Sequence, residues 1–221
     1  MKLRDGVFEL VKNQDARDAF LELAETAFDS ITDDGLLKDI PVLGILAKSR
    51  SAYIAIKDRI FIKKLEAFLN ALDGIEQAKR ETFLKDLEDS DERERTGERL
   101  ILILDRQDDL KKADLIGWIF RKYILGEIDG ETFEMLCHAV TNAYIGDLEG
   151  MDVFLERPDM FDGSVGFILM AAGLATLQVD VTSLDGGMID GSAGNGSETL
   201  NRFKLTSLGV TLTKIIADRM G

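Results

Sequence analysis

Cys137 and His138 are the only thiol and the only imidazole in the chain, and they stand side by side. Neighbouring helix positions point about 100° apart, so this pair cannot pass a proton as a Cys–His nucleophile requires. Glu134 and His138 share a helix face at i, i+4, but a carboxylate-bridged metal centre needs Glu-x-x-His repeated on a second helix, and one His cannot supply it. One Cys also excludes an intramolecular disulfide and the thiolate-rich zinc sites. The glycines of Gly191-Ser192-Ala193-Gly194-Asn195-Gly196 lack the preceding strand, following helix and distant acid of a dinucleotide-binding loop. Asp185 to Asn195 lacks the alternating oxygen ligands of an EF-hand. Acid pairs such as Asp33/Asp34 and Asp108/Asp109 carry little information in a chain with 41 Asp and Glu residues. The sequence therefore offers no catalytic, cofactor-binding or metal-ligating set, and its reading is that of a non-enzymatic protein.

The charged residues are informative in another way. The 221 residues are 45% hydrophobic and 31% charged, with formal net charge −14, so the chain can bury a core. By segment the charge is −5 over residues 1–39, +5 over 40–65, −6 over 66–130, −11 over 131–200 and +3 over 201–221. Lys48, Arg50, Lys57, Arg59, Lys63 and Lys64 make the one basic stretch and are candidate partner contacts. A basic amphipathic helix there can meet an acidic partner or an anionic membrane surface. The plainer expectation is a central helix that buries Ile45, Leu46, Ile56, Ile60 and Leu65 and pairs its bases with acidic neighbours. No run of about 20 apolar residues spans a bilayer, no targeting signal is visible at the amino terminus, and the expected location is the cytoplasm.

These residues must be positioned mostly by helices. Apolar spacing of three and four predicts helices over 5–30, 41–72 with Pro41 in its first turn, 76–87, 88–104, 110–125 and 130–144, the last capped by Asp129. A further helix ends near Arg157-Pro158. The grammar then changes: an apolar helix over 165–177, a strand over 179–182, a Gly/Ser-rich loop over 185–197, a strand over 201–205, and a final helix over 207–219 capped by Thr206. Gly209 is placed to let the first turn of that helix approach a neighbouring backbone. The expected architecture is mostly α with a small β-hairpin, divided into a helical domain over 1–128 and an α+β module over 129–221.

Met170-Ala171-Ala172-Gly173-Leu174, the two flanking strands and Phe203-Lys204-Leu205-Thr206-Ser207-Leu208-Gly209-Val210-Thr211-Leu212 together resemble the winged helix-turn-helix domain of bacterial regulators. The resemblance covers residues 132–220, and it implies that the helix over 165–177 occupies the place where the family reads the DNA major groove. That helix contains no Lys, Arg, Asn or Gln, the residue types that neutralise phosphate and read base edges, and the segment around it is strongly acidic. Nucleic acid is accordingly disfavoured. The resemblance instead implies a module turned to protein contact or dimerisation, with Phe167, Met170 and Leu174 as contact candidates. A DNA-binding transcriptional regulator, an acidic inhibitor that imitates nucleic acid, and a peripheral membrane protein are the alternative readings.

Overall fold

The computed structural model describes residues 3–26, 52–88, 91–156, 163–183 and 197–221. It is mostly helical with one two-stranded antiparallel sheet, and it divides into two compact units, Met1–Cys137 and His138–Gly221. The division falls inside the helix over 130–142, where sequence reading set a boundary at 128/129.

The first unit contains α1 (Leu3–Lys12), α2 (Gln14–Thr26), α3 (Ala52–Asn70), α4 (Gln77–Glu88), α5 (Asp91–Arg106) and α6 (Leu110–Ile124), followed by the start of α7 (Gly130–Asn142). Of the single helix expected over 5–30, residues 27–30 lie outside the described residues, and the rest is two helices because Asn13 interrupts it: its side-chain oxygen accepts from the Ala16 amide at 3.2 Å, an N-cap that starts α2 afresh. Of the helix expected over 41–72, residues 52–70 are helical, and 41–51 lie outside the described residues.

Lys112, Ala113, Leu115, Ile116, Ile119, Phe120 and Ile124 recur on one face of α6 and are buried, as a core-facing helix requires. That face packs on α3, where Leu65, Phe68 and Leu69 are almost wholly buried, as is Leu72 in the turn that follows. The helices come unusually close at Gly117, since a Cβ there would lie 2.5 Å from the Phe68 carbonyl oxygen. Phe68, Phe83, Phe120, Tyr123 and Phe133 form a continuous ring cluster with centroid separations of 4.8–6.2 Å. Such ring pairs add about 0.5–1.5 kcal/mol each beyond their buried area.

The second unit holds the end of α7, α8 (Ile145–Glu149), α9 (Asp152–Glu156), α10 (Gly163–Ala171), β1 (Ala175–Ser183), β2 (Ser197–Leu205) and α11 (Ser207–Met220). The stretch expected as one helix before Arg157 is the two short helices α8 and α9; Arg157 and Pro158 lie outside the described residues, as does the loop expected from Asp185 up to Gly196. The β1 and β2 register runs from Ala175 opposite Leu205 to Ser183 opposite Ser197. Alternation turns Phe203 into the core, while Thr176, Gln178, Arg202 and Lys204 are exposed on the other face.

The apolar helix expected over 165–177 stops at Ala171. Gly173, at φ 77°, ends it: the Leu174 amide donates to Leu169 O at 2.8 Å and the Gly173 amide to Met170 O at 3.0 Å, a Schellman closure. Leu169 and Leu174, its paired apolar residues, are both fully buried. The chain leaves this turn extended, so β1 begins four residues before the strand expected at Val179.

Candidate functional site

Of the basic candidates, Lys48 and Arg50 lie outside the described residues and Lys57 lies in α3 without a described side chain. Arg59 and Lys63 are exposed. Lys64 is not available to a partner or a membrane: it is 7% exposed, and its Nζ donates to the Asp105 carbonyl at 2.7 Å near the end of α5. Burial pulls its pKa down, opposed by the nearby Asp105 and Asp108 carboxylates. Ile60, expected in the core, is 48% exposed. The basic stripe read from helical spacing is therefore broken by a buried lysine and an outward isoleucine.

Cys137 is buried, and desolvation pushes its thiol pKa far up, which leaves no thiolate for chemistry. Glu134 is ion-paired with Arg99. His138 is exposed and its Nε2 lies 3.0 Å from Asn142 Nδ2. Among the described residues no group of three His, Cys, Asp or Glu side chains converges as a metal site, and no helix is long and apolar enough to cross a membrane.

The sequence does not reveal one buried cluster of charges. Three guanidiniums gather on the carbonyls of the turn at residues 71–73 that follows α3, at the negative end of the helix dipole. Arg17 and Arg80 both donate to Leu72 O, at 3.4 and 3.0 Å, and Arg121 donates to Asp73 O and to Ala71 O. Arg17 also bonds Asp18 and Asp73, at 3.2 and 3.0 Å. Arg80 is fully buried, with no partner for its Nε or Nη1 among the described residues. Its pKa is lowered first by desolvation and then by Arg17. In sequence Arg80 is one charge in the helical run Lys79-Arg80-Glu81, with nothing to mark it as interior. The cluster acts as a cap on α3.

The second unit carries an exposed apolar stripe. Ser164, Phe167, Ile168 and Ala171 follow one another at i, i+3, i+4, i+7 on α10 and are all exposed, while Gly166 and Leu169 on the opposite face are buried. Phe167, Ile168 and Met170 are 48%, 40% and 37% exposed. Phe167 is held edge-on against Phe203, with centroids 4.9 Å apart, and a Cβ at Gly166 would strike the Phe203 ring, so the helix lies close on the hairpin. Leu174, the third apolar candidate, is wholly buried below that turn and serves the core, not the surface.

The turn is tied to α11. Thr206 Oγ1 donates to Gly173 O at 2.9 Å and accepts from the Gly209 amide at 3.1 Å, and the Thr206 amide donates to Leu174 O at 3.0 Å. The expected caps at Asp129 and Thr206 are both present, the Thr132 amide donating to Asp129 Oδ1 at 2.8 Å. Gly209 makes the expected close approach, since a Cβ there would lie 3.0 Å from the Leu174 carbonyl carbon and nearer still to its oxygen.

No protein-family model, curated protein or solved structure matches this chain.

Proposed function

We propose that this is a non-enzymatic interaction protein whose carboxy-terminal unit is a winged-helix-like module, and that the outward face of α10 seats a second copy of the chain. The supporting observation is the uncharged stripe Ser164, Phe167, Ile168, Ala171 beside Met170. A surface helix ordinarily turns polar residues outward, and an apolar outer face on a helix whose inner face is already packed calls for further burial. Residues 131–200 carry net charge −11, so most surfaces of this region would repel their own copy. The stripe contains no charge and can meet itself across a twofold axis without setting like charges together.

The same stripe speaks against DNA reading, because it offers no cation to phosphate and no amide to a base edge. Arg202 and Lys204 on the outer hairpin face are the basic residues there.

The test is sedimentation of the full chain across a hundredfold range of concentration. Fully burying a Phe is worth about 1.5–3 kcal/mol. Phe167 is 48% exposed, so about half of that remains to be gained, and a twofold axis counts it twice. Phe167→Ser is thus expected to weaken association by about 1.5–3 kcal/mol, roughly 13- to 160-fold. A wild-type chain that stays at 24.5 kDa throughout, or a variant that associates as well as wild type, rejects the proposal.

A further inference from the structure

In the first unit, a groove of about 580 Å³ runs between α4 and the carboxy-terminal end of α6. Its α4 wall is Ala78, Lys79, Thr82, Phe83, Asp86 and Leu87, a set spaced i, i+1, i+4, i+5, i+8, i+9 that follows one helix face. From Ala78 to Leu87 that wall is about 13.5 Å long at 1.5 Å per residue. The other wall is Tyr123 to Gly126 with Ile128, shaped by the turn at Gly126, whose φ is 71°. The floor is apolar and firm, because Phe83 and Tyr123 belong to the ring cluster and Tyr123 stacks on Phe133 at 5.3 Å. The charges on the lining are Lys79 near one end and Asp86 near the other, seven residues and two helical turns apart. Neither has an ion-pair partner among the described residues, although this protein pairs Lys112 with Asp108 at one end of α6 and Lys122 with Glu127 at the other.

The geometry points to this groove as the docking site for an amphipathic helix of a partner protein, laid along α4 with its apolar residues on Phe83, Leu87 and Tyr123. The partner helix presents an acid to Lys79 and a base to Asp86 at a spacing of seven residues. An open channel with an apolar floor and one charge near each end suits a helix that anchors by i, i+3, i+4, i+7 residues. The opposite charges set which way the helix runs, since reversing it puts base on base and acid on acid. This site lies in a different unit from the α10 face and does not depend on self-association.

The probes are two 18-residue peptides sharing one leucine face at i, i+3, i+4, i+7. The first carries Glu and Lys seven residues apart on the flanks, and the second carries Lys at both positions. Binding of the labelled peptides to the full chain is read by fluorescence anisotropy. Wild type is expected to prefer the Glu/Lys peptide by roughly two- to fivefold, the ratio that exposed ion pairs deliver, and the preference shrinks as salt is raised. Lys79→Glu, at an exposed position that leaves the core intact, is expected to reverse the preference. Thr82→Arg, which fills the groove from an exposed position, is expected to lower binding of both peptides at least tenfold, while Phe167→Ser leaves both unchanged. Absence of saturable binding to wild type, the same preference in Lys79→Glu, or loss of binding in Phe167→Ser overturns the inference. So does a groove that binds the anilinonaphthalene sulfonate dye, displaceably by dodecanoate, and neither peptide, since that is a small-amphiphile site.

Discussion

Gly209→Ala is expected to destabilise the carboxy-terminal unit by about 1–3 kcal/mol, although Gly to Ala inside a helix ordinarily gains about 1 kcal/mol. The sign reverses because the new methyl meets backbone: the Leu174 carbonyl carbon at 3.0 Å, its oxygen inside contact distance, and Leu205 Cδ2 at 3.3 Å. A carbonyl fixed in a Schellman turn cannot rotate away as a side chain can. Overpacking of this kind costs about 1–3 kcal/mol. Relief by moving α11 outward strains the Thr206 amide bond to Leu174 O, whose loss adds about 1 kcal/mol and cancels the helical gain. The assay is urea unfolding followed by far-UV circular dichroism, with hydrogen exchange of the amides of residues 206–216 as the local readout. Those amides are expected to exchange roughly 5- to 150-fold faster in the variant. Gly163→Ala is the control, because nothing lies within 4 Å of a Cβ there and the change is expected to be neutral or slightly stabilising. A Gly209→Ala chain as stable as wild type, with unchanged exchange in α11, refutes the packing argument.

Leu174→Ala and Phe167→Ser separate core from surface on neighbouring elements: by urea unfolding the first loses about 2–5 kcal/mol and the second less than about 1. Arg80→Met is expected to leave stability unchanged or raised in the same assay, because it removes a buried guanidinium with unpaired donors while Leu72 O keeps Arg17; a loss above about 2 kcal/mol contradicts this. The Asp108 carboxyl is held below its usual pKa chiefly by its hydrogen bond to buried Lys112. Its folded pKa is thus lower than its unfolded one, and its contribution is complete above about pH 4 and lost as pH falls through the folded value. Thermal melts from pH 7 to pH 2 are expected to show Asp108→Asn less stable than wild type at neutral pH, with the two converging at the acid end.

Local chemistry was readable before any coordinates. Asp129 and Thr206 cap helices by side-chain bonds that reach only two or three residues, and the close approach at Gly209 follows from a small residue in the first turn of a packed helix. The break at Asn13 was also written in the sequence, as an N-cap type followed by Gln14-Asp15-Ala16, but apolar spacing that runs through it on both sides hid it. The same bias extended α10 to Leu177: every residue from Val165 to Leu177 suits an apolar helix, and only Gly173 in the left-handed region says otherwise. Lys64 and Arg80 were illegible for a different reason. Each is interior because a carbonyl from another element waits there, Asp105 O in the last turn of α5 for one and Leu72 O in the turn after α3 for the other, and no spacing within a single helix encodes that meeting. The groove over α4 was hidden in the same way, since its second wall arrives from Tyr123 to Ile128. Phe167 and Met170 emerged from sequence as surface candidates because their helix has more apolar residues than one face can bury, and the structure leaves both exposed.

Disulfide trapping at α10 tests the central claim most directly. The full chain with Ala171→Cys, which keeps Phe167 in place on the same stripe, is oxidised under mild conditions; Cys137 does not compete, being buried with its thiol pKa raised by desolvation. Self-association through α10 predicts a covalent species of twice 24.5 kDa on a non-reducing gel, formed fastest at high protein concentration, with Gln178→Cys on the exposed hairpin face staying monomeric. An Ala171→Cys chain that crosslinks no faster than Gln178→Cys contradicts it.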